Sequence, residues 1–245
     1  MIREIYDFID EIAPFDSAED GDNCGLLIGN FGRTANRVMI CLDCDAEAAK
    51  YAAGHRFDLI ISHHPLMYHP LYSISFDSAE AELVRAGISL ISAHTNIDKS
   101  DFGTNALLAE LFSVEVEGTF PVGYGIYGKI KSLTASDFAE TIKEKLRGNV
   151  KYFDAKTLVT RLGICSGRGG NLIEAASELG LDALLTADVR HDEFIFAKNK
   201  NITLFDAGHF ETENVFIPRL KNIMGERFPE IYFEVFEPGK KIEYK

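Results

Sequence analysis

The sequence predicts an α/β protein of two similar halves, each with a mixed sheet covered by helices. Two observations lead to this fold class. Strand-like and helix-like segments alternate along the chain, which is typical of a mainly parallel or mixed sheet with helices on its faces. The ends of the strands also recur in parallel order, since HHP and AHTNID in the first half are matched by ADVRH and GHFETE in the second. With 245 residues and 46% hydrophobic content, the chain can bury a sizeable core, as one large domain or as two packed halves.

The first half begins with an amphipathic helix. Apolar residues at Ile2, Ile5, Tyr6, Ile9 and Ile12 form the stripe that a helix buries. A loop, DSAEDGDNCG, follows it. The remaining segments are strand RVMICLD, helix DAEAAKYAAGHR, strand FDLIIS, a helix around 79–86, strand GISLISA and helix FGTNALLAELF.

The second half repeats this alternation. The stretch VEGTFPVGYGIYGKI, with its Gly and Pro residues, separates the halves, so we expect one unit of residues 1–245 with halves of about 1–118 and 119–245. The following segments are helix ASDFAETIKEKLRG, strand RLGICS, turn SGRGGN, helix LIEAASELG, strand DALLTADV and strand NITLFDA.

Composition narrows the class of protein. The formal charge of −13, from 25 basic and 38 acidic side chains without a dense basic run, argues against nucleic acid as a partner. The four cysteines form no disulfide framework in a chain of this length, which fits a reducing compartment. No apolar run approaches a membrane span, and the first residues do not resemble a signal peptide. We therefore expect a cytoplasmic protein without membrane association.

Histidines collect at the ends of predicted strands. In DLIISHHPLMYH, two adjacent histidines can serve one site only where the strand has stopped, because neighbouring side chains on a strand point to opposite faces. Pro65 predicts a turn there, because it removes an N–H and disfavours the α conformation of His64. Five of the seven histidines lie at or just beyond strand ends: His63, His64, His94, His191 and His209. Together with the nearby carboxylates they predict a site for Zn²⁺, Mn²⁺, Fe²⁺, Co²⁺ or Ni²⁺, which accept imidazole nitrogen and carboxylate oxygen.

The spacing of the acidic partners supports this prediction. His209 and Glu213 are four residues apart and share a face if a helical turn begins there. Pro218 is expected to start a new helical segment rather than to lie within a long one. His94 and Asp98 have the same spacing, but we predict a loop for them, where spacing says less.

Two further motifs have competing interpretations. Cys41-Leu-Asp-Cys44, between a strand and a helix, is either a redox pair or a pair of small buried cysteines, and the buried pair is the favoured interpretation. The loop Ser166–Asn171 leads into a helix and is either a phosphate-binding turn or a plain strand-to-helix turn.

Six segments in order resemble the Nif-three-like family, also called GTP cyclohydrolase 1 type 2. These are DNCGLLIG, SHHPL, AHTNID followed by FGTNALLAEL, GYGIYGKI, LLTADVRHDE and DAGHFETE. The resemblance covers about 22–213, and the length is similar to the family's short form without an inserted middle domain. It implies two similar α/β halves with a dinuclear metal site between them and assembly into a toroidal hexamer.

The resemblance also implies roles for individual residues. The ligands of two divalent metal ions per chain fall on His63, His64, Asp98, His209 and Glu213. Glu213 is expected to bridge the ions, with His63 and His209 on one and His64 and Asp98 on the other.

Three further residues are expected to act on the substrate. His94 is predicted to transfer protons, because imidazole titrates near neutral pH. His191 is predicted to contact the substrate, and Arg168 with its loop to hold a triphosphate.

The implied activity is hydrolysis of a purine nucleotide. A metal-activated water would open the imidazole ring of GTP and release formate. Two alternatives stay open at this stage. One is a phosphoesterase-type hydrolase using the same paired ions, and the other is a ring-shaped metal-binding scaffold with a regulatory or interaction role.

Overall fold

The computed structural model describes residues 1–156 and 158–238. Within these ranges the helices are α1 (Ile2–Ile12), α2 (Ala46–Gly54), α3 (Ala79–Ala86), α4 (Thr95–Lys99), α5 (Thr104–Phe112), α6 (Ala135–Leu146), α7 (Ile173–Glu178), α8 (His191–Lys200), α9 (His209–Asn214) and α10 (Phe216–Arg227). The strands are β1 (Gly25–Ile28), β2 (Arg37–Cys41), β3 (Leu59–Ser62), β4 (Ser89–Ser92), β5 (Glu115–Thr119), β6 (Ile126–Leu133), β7 (Lys151–Phe153), β8 (Val159–Arg168), β9 (Ala183–Ala187), β10 (Thr203–Asp206) and β11 (Tyr232–Val235). No helix in the described ranges is both long enough and apolar enough to cross a bilayer.

The chain forms two compact units. The first contains Met1–Ile97 and the chain from Phe216 onward, and the second contains Asp98–Val215. The boundaries of these units differ from a single division at about residue 118, because α10 and β11 belong to the first unit although they follow the second in the sequence. The division near residue 118 stays a prediction.

The first unit is built on a five-stranded sheet of order β1-β4-β3-β2-β11. The neighbours β4, β3, β2 and β11 are parallel, and β1 pairs with β4 in the antiparallel sense. β3 and β4 are buried along their whole length, as expected for parallel strands covered on both faces. The carboxyl ends of β2, β3 and β4 therefore share one edge of the sheet, where polar residues follow each strand.

Helix α1 shows how the predicted apolar stripe is used. Ile2, Ile5 and Ile9 are fully buried, whereas Tyr6 and Ile12 are partly exposed. The spacing of three and four residues places the three buried side chains on one face of the helix. Full burial of each isoleucine contributes about 1.5–3 kcal/mol relative to exposure.

The second unit is built on a six-stranded sheet of order β5-β6-β8-β9-β10-β7. β8, β9 and β10 are parallel, and the other neighbours are antiparallel. The stretch that was expected to separate the two halves supplies strands β5 and β6. The two strands form a hairpin around residues 120–125, and the glycine at 128 allows close approach because a Cβ there would lie 2.1 Å from the carbonyl oxygen of Glu115.

Both units contain the same arrangement of strands. Each has three parallel strands, β2-β3-β4 or β8-β9-β10, and each has an antiparallel strand beside the third, β1 or β7. Asp58, before β3, accepts hydrogen bonds of 2.8 and 3.0 Å from two backbone N–H groups at the start of β2. Asp182, before β9, accepts bonds of 2.9 and 3.0 Å from two N–H groups at the start of β8. The predicted similarity of the halves is therefore confirmed, as is the mixed-sheet fold class.

Candidate metal centre

The histidine pair lies where β3 ends. The strand finishes at Ser62, and the N–H groups of His63 and His64 then bond the carbonyl oxygens of Cys41 and Leu42 at 3.1 and 2.9 Å. These bonds continue the pairing with the chain after β2, while Pro65 prevents a regular continuation. Both imidazoles consequently project at the carboxyl edge of the first sheet, the position expected from the sequence.

His94 joins this pair from the end of β4. The nearest ligand atoms of His63, His64 and His94 all lie within 4.8 Å of one another. The ring centroids are separated by 5.2 to 5.4 Å. We predicted His94 as a proton-transfer residue, and the structure gives it the same ligand chemistry as its two neighbours. Its catalytic role stays a prediction.

Each of these histidines bonds an acceptor through Nδ1. The partner of His63 is the carbonyl oxygen of Ala93 at 2.9 Å, and the partner of His64 is Oδ1 of Asp43 at 2.7 Å. Nδ1 of His94 bonds the carboxylate of Asp22 at 2.9 Å. A proton held on Nδ1 leaves the lone pair on Nε2, which is the tautomer that binds a metal through Nε2. Asp22 and Asp43 are therefore supporting residues that the sequence reasoning did not single out.

The carboxylate of Asp22 is held in its charged form. Burial raises the pKa of Asp22, but hydrogen bonds from His94 and Thr95 outweigh it and bring the pKa well below its usual range. Asp22 is therefore an anion at neutral pH. The hydrogen bond to this carboxylate fixes the orientation of the His94 ring.

Asp98 lies in a helix rather than in the loop that we predicted. Residues Thr95–Lys99 form α4, and the carboxylate of Asp22 accepts a bond from the backbone N–H of Thr95 at 3.2 Å. The capping residue Asp22 is 73 residues away in the sequence, so no local sequence pattern predicts the start of the helix. The loop prediction is wrong for that reason.

In the second unit, Asp98 is buried and held by hydroxyl groups. Asp98 is 2% exposed. Its Oδ1 accepts hydrogen bonds from Thr104 Oγ1 and, at 3.3 Å, from Ser166 Oγ. Asn105 Nδ2 donates to the backbone carbonyl of Asp98 at 3.0 Å. A buried carboxylate oriented in this way fits a ligand for a divalent cation.

His209 and Glu213 lie on one face of α9, as their spacing predicted. Nε2 of His209 is 3.0 Å from Oε2 of Glu213, which is 2% exposed. Nδ1 of His209 bonds Oδ2 of Asp188 at 2.7 Å, so this histidine repeats the tautomer of the three in the first unit. α9 ends at Asn214 and α10 begins at Phe216, which confirms that Pro218 belongs to a new helical segment.

Gly167 packs directly against the side chains of His209 and Glu213. Its φ of +57° is in the left-handed region, and a Cβ at this position would lie 2.2 Å from Oε1 of Glu213 and 3.2 Å from Nε2 of His209. Its N–H bonds Thr212 Oγ1 at 3.1 Å. Only glycine provides both the conformation and the space, so this residue of the SGRGGN loop is required by the protein's own side chains.

Arg168 and His191, the predicted substrate residues, have more exposed positions in the second unit. Nη2 of Arg168 bonds Oε1 of Glu193 at 3.0 Å, and the side chain is 50% exposed. His191 is the exposed first residue of α8. The positions of Arg168 and His191 do not test a role in substrate binding, which stays a prediction for both.

The two cysteines of the CxxC motif are buried and reduced. Cys41 is 1% exposed and Cys44 is 4% exposed, and neither is in a disulfide. Hydrogen bonding with Cys44 and burial raise the pKa of the Cys41 thiol. This supports the interpretation as small buried residues, since a reactive thiol needs a lowered pKa. Between them, Asp43 supports His64.

The donor set fits divalent transition-metal ions. Four histidines bond an acceptor oxygen through Nδ1, which directs Nε2 away from that acceptor, and Asp98 and Glu213 add buried carboxylate oxygens. Imidazole nitrogen combined with carboxylate oxygen suits Zn²⁺, Mn²⁺, Fe²⁺, Co²⁺ and Ni²⁺. Thiolate ligands are not part of the set.

Comparisons with known proteins identify relatives of the chain. The sequence model of the Duf34/NIF3 (NGG1p interacting factor 3) family matches residues 1–239. A Campylobacter jejuni protein named GTP cyclohydrolase 1 type 2 homolog is 33% identical over 224 residues, covering 88% of each chain. A Methanocaldococcus jannaschii protein of the same name is 30% identical, covering 91% of this chain and 93% of its own.

Solved structures show the same fold over the whole chain. A Staphylococcus aureus hypothetical protein has a TM-score of 0.91 at 25% identity, covering 100% of this chain and 99% of its own. Reduced HcgD from Methanocaldococcus jannaschii has a TM-score of 0.87 at 28% identity, covering 96% of both chains.

Proposed function

This chain belongs to the Duf34/NIF3 family, and from that membership and the geometry of its histidines and carboxylates we propose that it is a divalent-metal-dependent hydrolase. We propose GTP as the substrate, with opening of the guanine imidazole ring and release of formate. The names of the relatives support this choice of reaction, since several are called GTP cyclohydrolase 1 type 2 homolog.

One observation carries the proposal of metal dependence. His63, His64, His94 and His209 all bond a carbonyl or carboxylate oxygen through Nδ1. A histidine that binds a metal usually donates the N–H of its other ring nitrogen to a carbonyl or carboxylate oxygen, which fixes the ring orientation. The repeated bond through Nδ1 in this group of histidines supports metal binding through Nε2.

We propose that the metal ligands are His63, His64, Asp98, His209 and Glu213, and that they serve two ions per chain. When bound, such ions lower the pKa of a coordinated water towards about 7 and make hydrolysis possible at neutral pH.

His94 is proposed to move the proton. Its Nδ1 is fixed on the anionic carboxylate of Asp22, so Nε2 is the atom that accepts and returns a proton. The carboxylate of Asp22 holds the ring in the orientation that this transfer needs. Arg168 and His191 are proposed to hold the phosphates and another part of the nucleotide. A cytoplasmic location and a toroidal hexamer complete the proposal.

The experiment is an assay of formate release from GTP. The purified protein is loaded separately with zinc, manganese, iron, cobalt or nickel and compared with a His63→Ala variant. His55→Ala is the matched control, because His55 also bonds a carbonyl through Nδ1, at 2.9 Å from Tyr51 O, but is exposed and outside the group.

The expected result is formate from the parent protein and from His55→Ala, and none from His63→Ala. Formate release that persists in His63→Ala contradicts the proposal. Metal bound at full occupancy with no formate from any loaded form also contradicts it and favours the scaffold role instead.

A further inference from the structure

A cavity of about 410 Å³ lies beside His94 in the first unit. One wall is Gly21–Asn23, and the other is Met67–Leu71 in the segment after the histidine pair. Its volume falls in the range of small-molecule sites, about 300–1,000 Å³. The cavity is thus large enough for a fused heteroaromatic ring.

The two walls are joined to each other and to His94. Nδ2 of Asn23 donates a 2.6 Å hydrogen bond to the carbonyl oxygen of Met67, which ties the walls together. Asp22 lines the cavity and also bonds Nδ1 of His94 at 2.9 Å. A molecule in the cavity would therefore lie against Asp22, which is hydrogen-bonded to the proposed proton-transfer residue His94.

Tyr68 presents an aromatic surface at this cavity. Its ring centroid is 5.9 Å from that of His94, with an angle of 81° between the planes, so its edge or face meets His94 in a T-shaped contact. The residue is 50% exposed, which is high for a tyrosine in a cavity wall. Leu71, 44% exposed, adds an apolar surface in the same wall.

We propose that this cavity binds the base of the nucleotide and that Tyr68 stacks on it. This proposal rests on the proposed function and specifies how the substrate is recognised. An exposed aromatic ring next to polar groups is the arrangement that binds nucleobases, because every base has a face on which to stack. Asn23 and His69 supply polar groups at the same cavity for the edges of the base. Tyr68 is accordingly a residue that positions the substrate and sets its specificity.

The chain offers a direct optical test, because it contains no tryptophan. A Tyr68→Trp variant places the only tryptophan of the chain in the cavity wall. Tyr72→Trp is the matched control, because Tyr72 is fully exposed only four residues further along and does not line the cavity. Guanosine, GTP and the base-free ligands ribose 5-phosphate and tripolyphosphate are titrated into both metal-loaded variants.

We expect guanosine and GTP to quench the fluorescence of Tyr68→Trp in a saturable way, with no saturable response from Tyr72→Trp. Ribose 5-phosphate and tripolyphosphate are expected to leave both signals unchanged. Absence of quenching by guanosine and GTP, or equal quenching by the base-free ligands, overturns the proposal.

Affinity measurements separate this proposal from that of the reaction. Tyr68→Ala is expected to weaken binding of guanosine by about 5- to 150-fold, equivalent to the roughly 1–3 kcal/mol of one base–aromatic stacking contact, whereas Tyr68→Phe should bind nearly as the parent does. If guanosine binding depends on Tyr68 but no formate is released from GTP, the cavity assignment stands and the reaction fails. If formate is released and the KM for GTP and the guanosine affinity are both unchanged in Tyr68→Ala, the reaction stands and the cavity assignment fails.

Discussion

Replacing Gly167 by alanine should disable the carboxylate and histidine pair of the second unit. The new Cβ would lie 2.2 Å from Oε1 of Glu213, roughly 1 Å closer than van der Waals contact permits. Glu213 is 2% exposed and has little space to move away, so its carboxylate must be displaced from the position it holds beside His209. Disturbing the groups that orient metal ligands typically costs about 10- to 100-fold in metal affinity. We expect a loss of that size in Gly167→Ala.

The matched control is Gly180→Ala. Gly180 has a φ of +66°, close to the +57° of Gly167, but the nearest atom to its added Cβ would be 3.7 Å away on Arg161. Both variants pay about 1–2 kcal/mol for a non-glycine residue in the left-handed region. In a chain of this length that lowers Tm by about 2–8 °C. Only the variant at Gly167 also meets the side chain of Glu213.

The assay is a competition titration of divalent-ion affinity against a chelator, at a temperature where both variants are folded. We expect Gly180→Ala to bind as tightly as the parent protein and Gly167→Ala to bind about 10- to 100-fold more weakly. Equal affinities in the two variants would refute the reasoning, because they would show that the position of Glu213 does not matter for the metal.

Three further outcomes are expected. Asp43→Ala should weaken metal binding by about tenfold in the same titration, because His64 loses the partner that orients its ring. Asp77→Ala, at an exposed aspartate, should leave metal binding unchanged. Unchanged binding in Asp43→Ala would contradict the supporting role of Asp43. Burial raises the pKa of Asp182, but hydrogen bonds from Thr160 and neighbouring N–H groups lower it by more, so the pKa is below its usual value and the carboxylate stabilises the fold above about pH 4, an effect that is lost as the pH falls through the folded pKa. Asp182→Asn should therefore lower Tm at pH 7 and lower it less at acid pH. A difference in Tm that grows on acidification would disprove this. Burial raises the pKa of Cys24 to about 12 and also raises that of Cys165, and the pKa of Cys41 is raised by its hydrogen bond with Cys44 and by burial. A thiol reagent at pH 7 should therefore modify these cysteines rapidly only after denaturation. Fast modification of the folded protein would favour a reactive thiol.

Local sequence patterns predicted the elements that carry the histidines. The apolar run before His63 and the alternation of strands and helices placed β3 and β4 correctly, because buried parallel strands have a strong compositional signal. His209 and Glu213 lie in a helix, so the condition for their sharing one face is met, since residues four apart are neighbours on a helix surface.

The supporting carboxylates could not be predicted in the same way. Asp22 is 72 residues from His94, and Asp43 and Asp188 are each 21 residues from their histidines. Such pairs exist only after the sheets have brought strand ends together, and spacing along the chain carries no sign of them. A usable signal was the position of each acid, because Asp43 lies two residues after the end of β2 and Asp188 directly follows the end of β9.

The same limitation explains the error at α4. Thr95–Lys99 is a short helix whose first N–H is capped by Asp22, and a helix of five residues has almost no periodic signal of its own. The hairpin of β5 and β6 was missed for a related reason. Its glycines suggest a linker, but Gly128 is needed because the neighbouring strand approaches too closely for a side chain.

The most direct test of the metal centre is a crystal structure of the zinc-loaded protein with anomalous diffraction data. We predict two anomalous peaks per chain, each within about 2.0–2.1 Å of Nε2 of at least one histidine of the set, with every Nδ1 still bonded to its carbonyl or carboxylate. Peaks absent from His63, His64 and His209 in a fully loaded crystal, or coordination through Nδ1, would contradict the account.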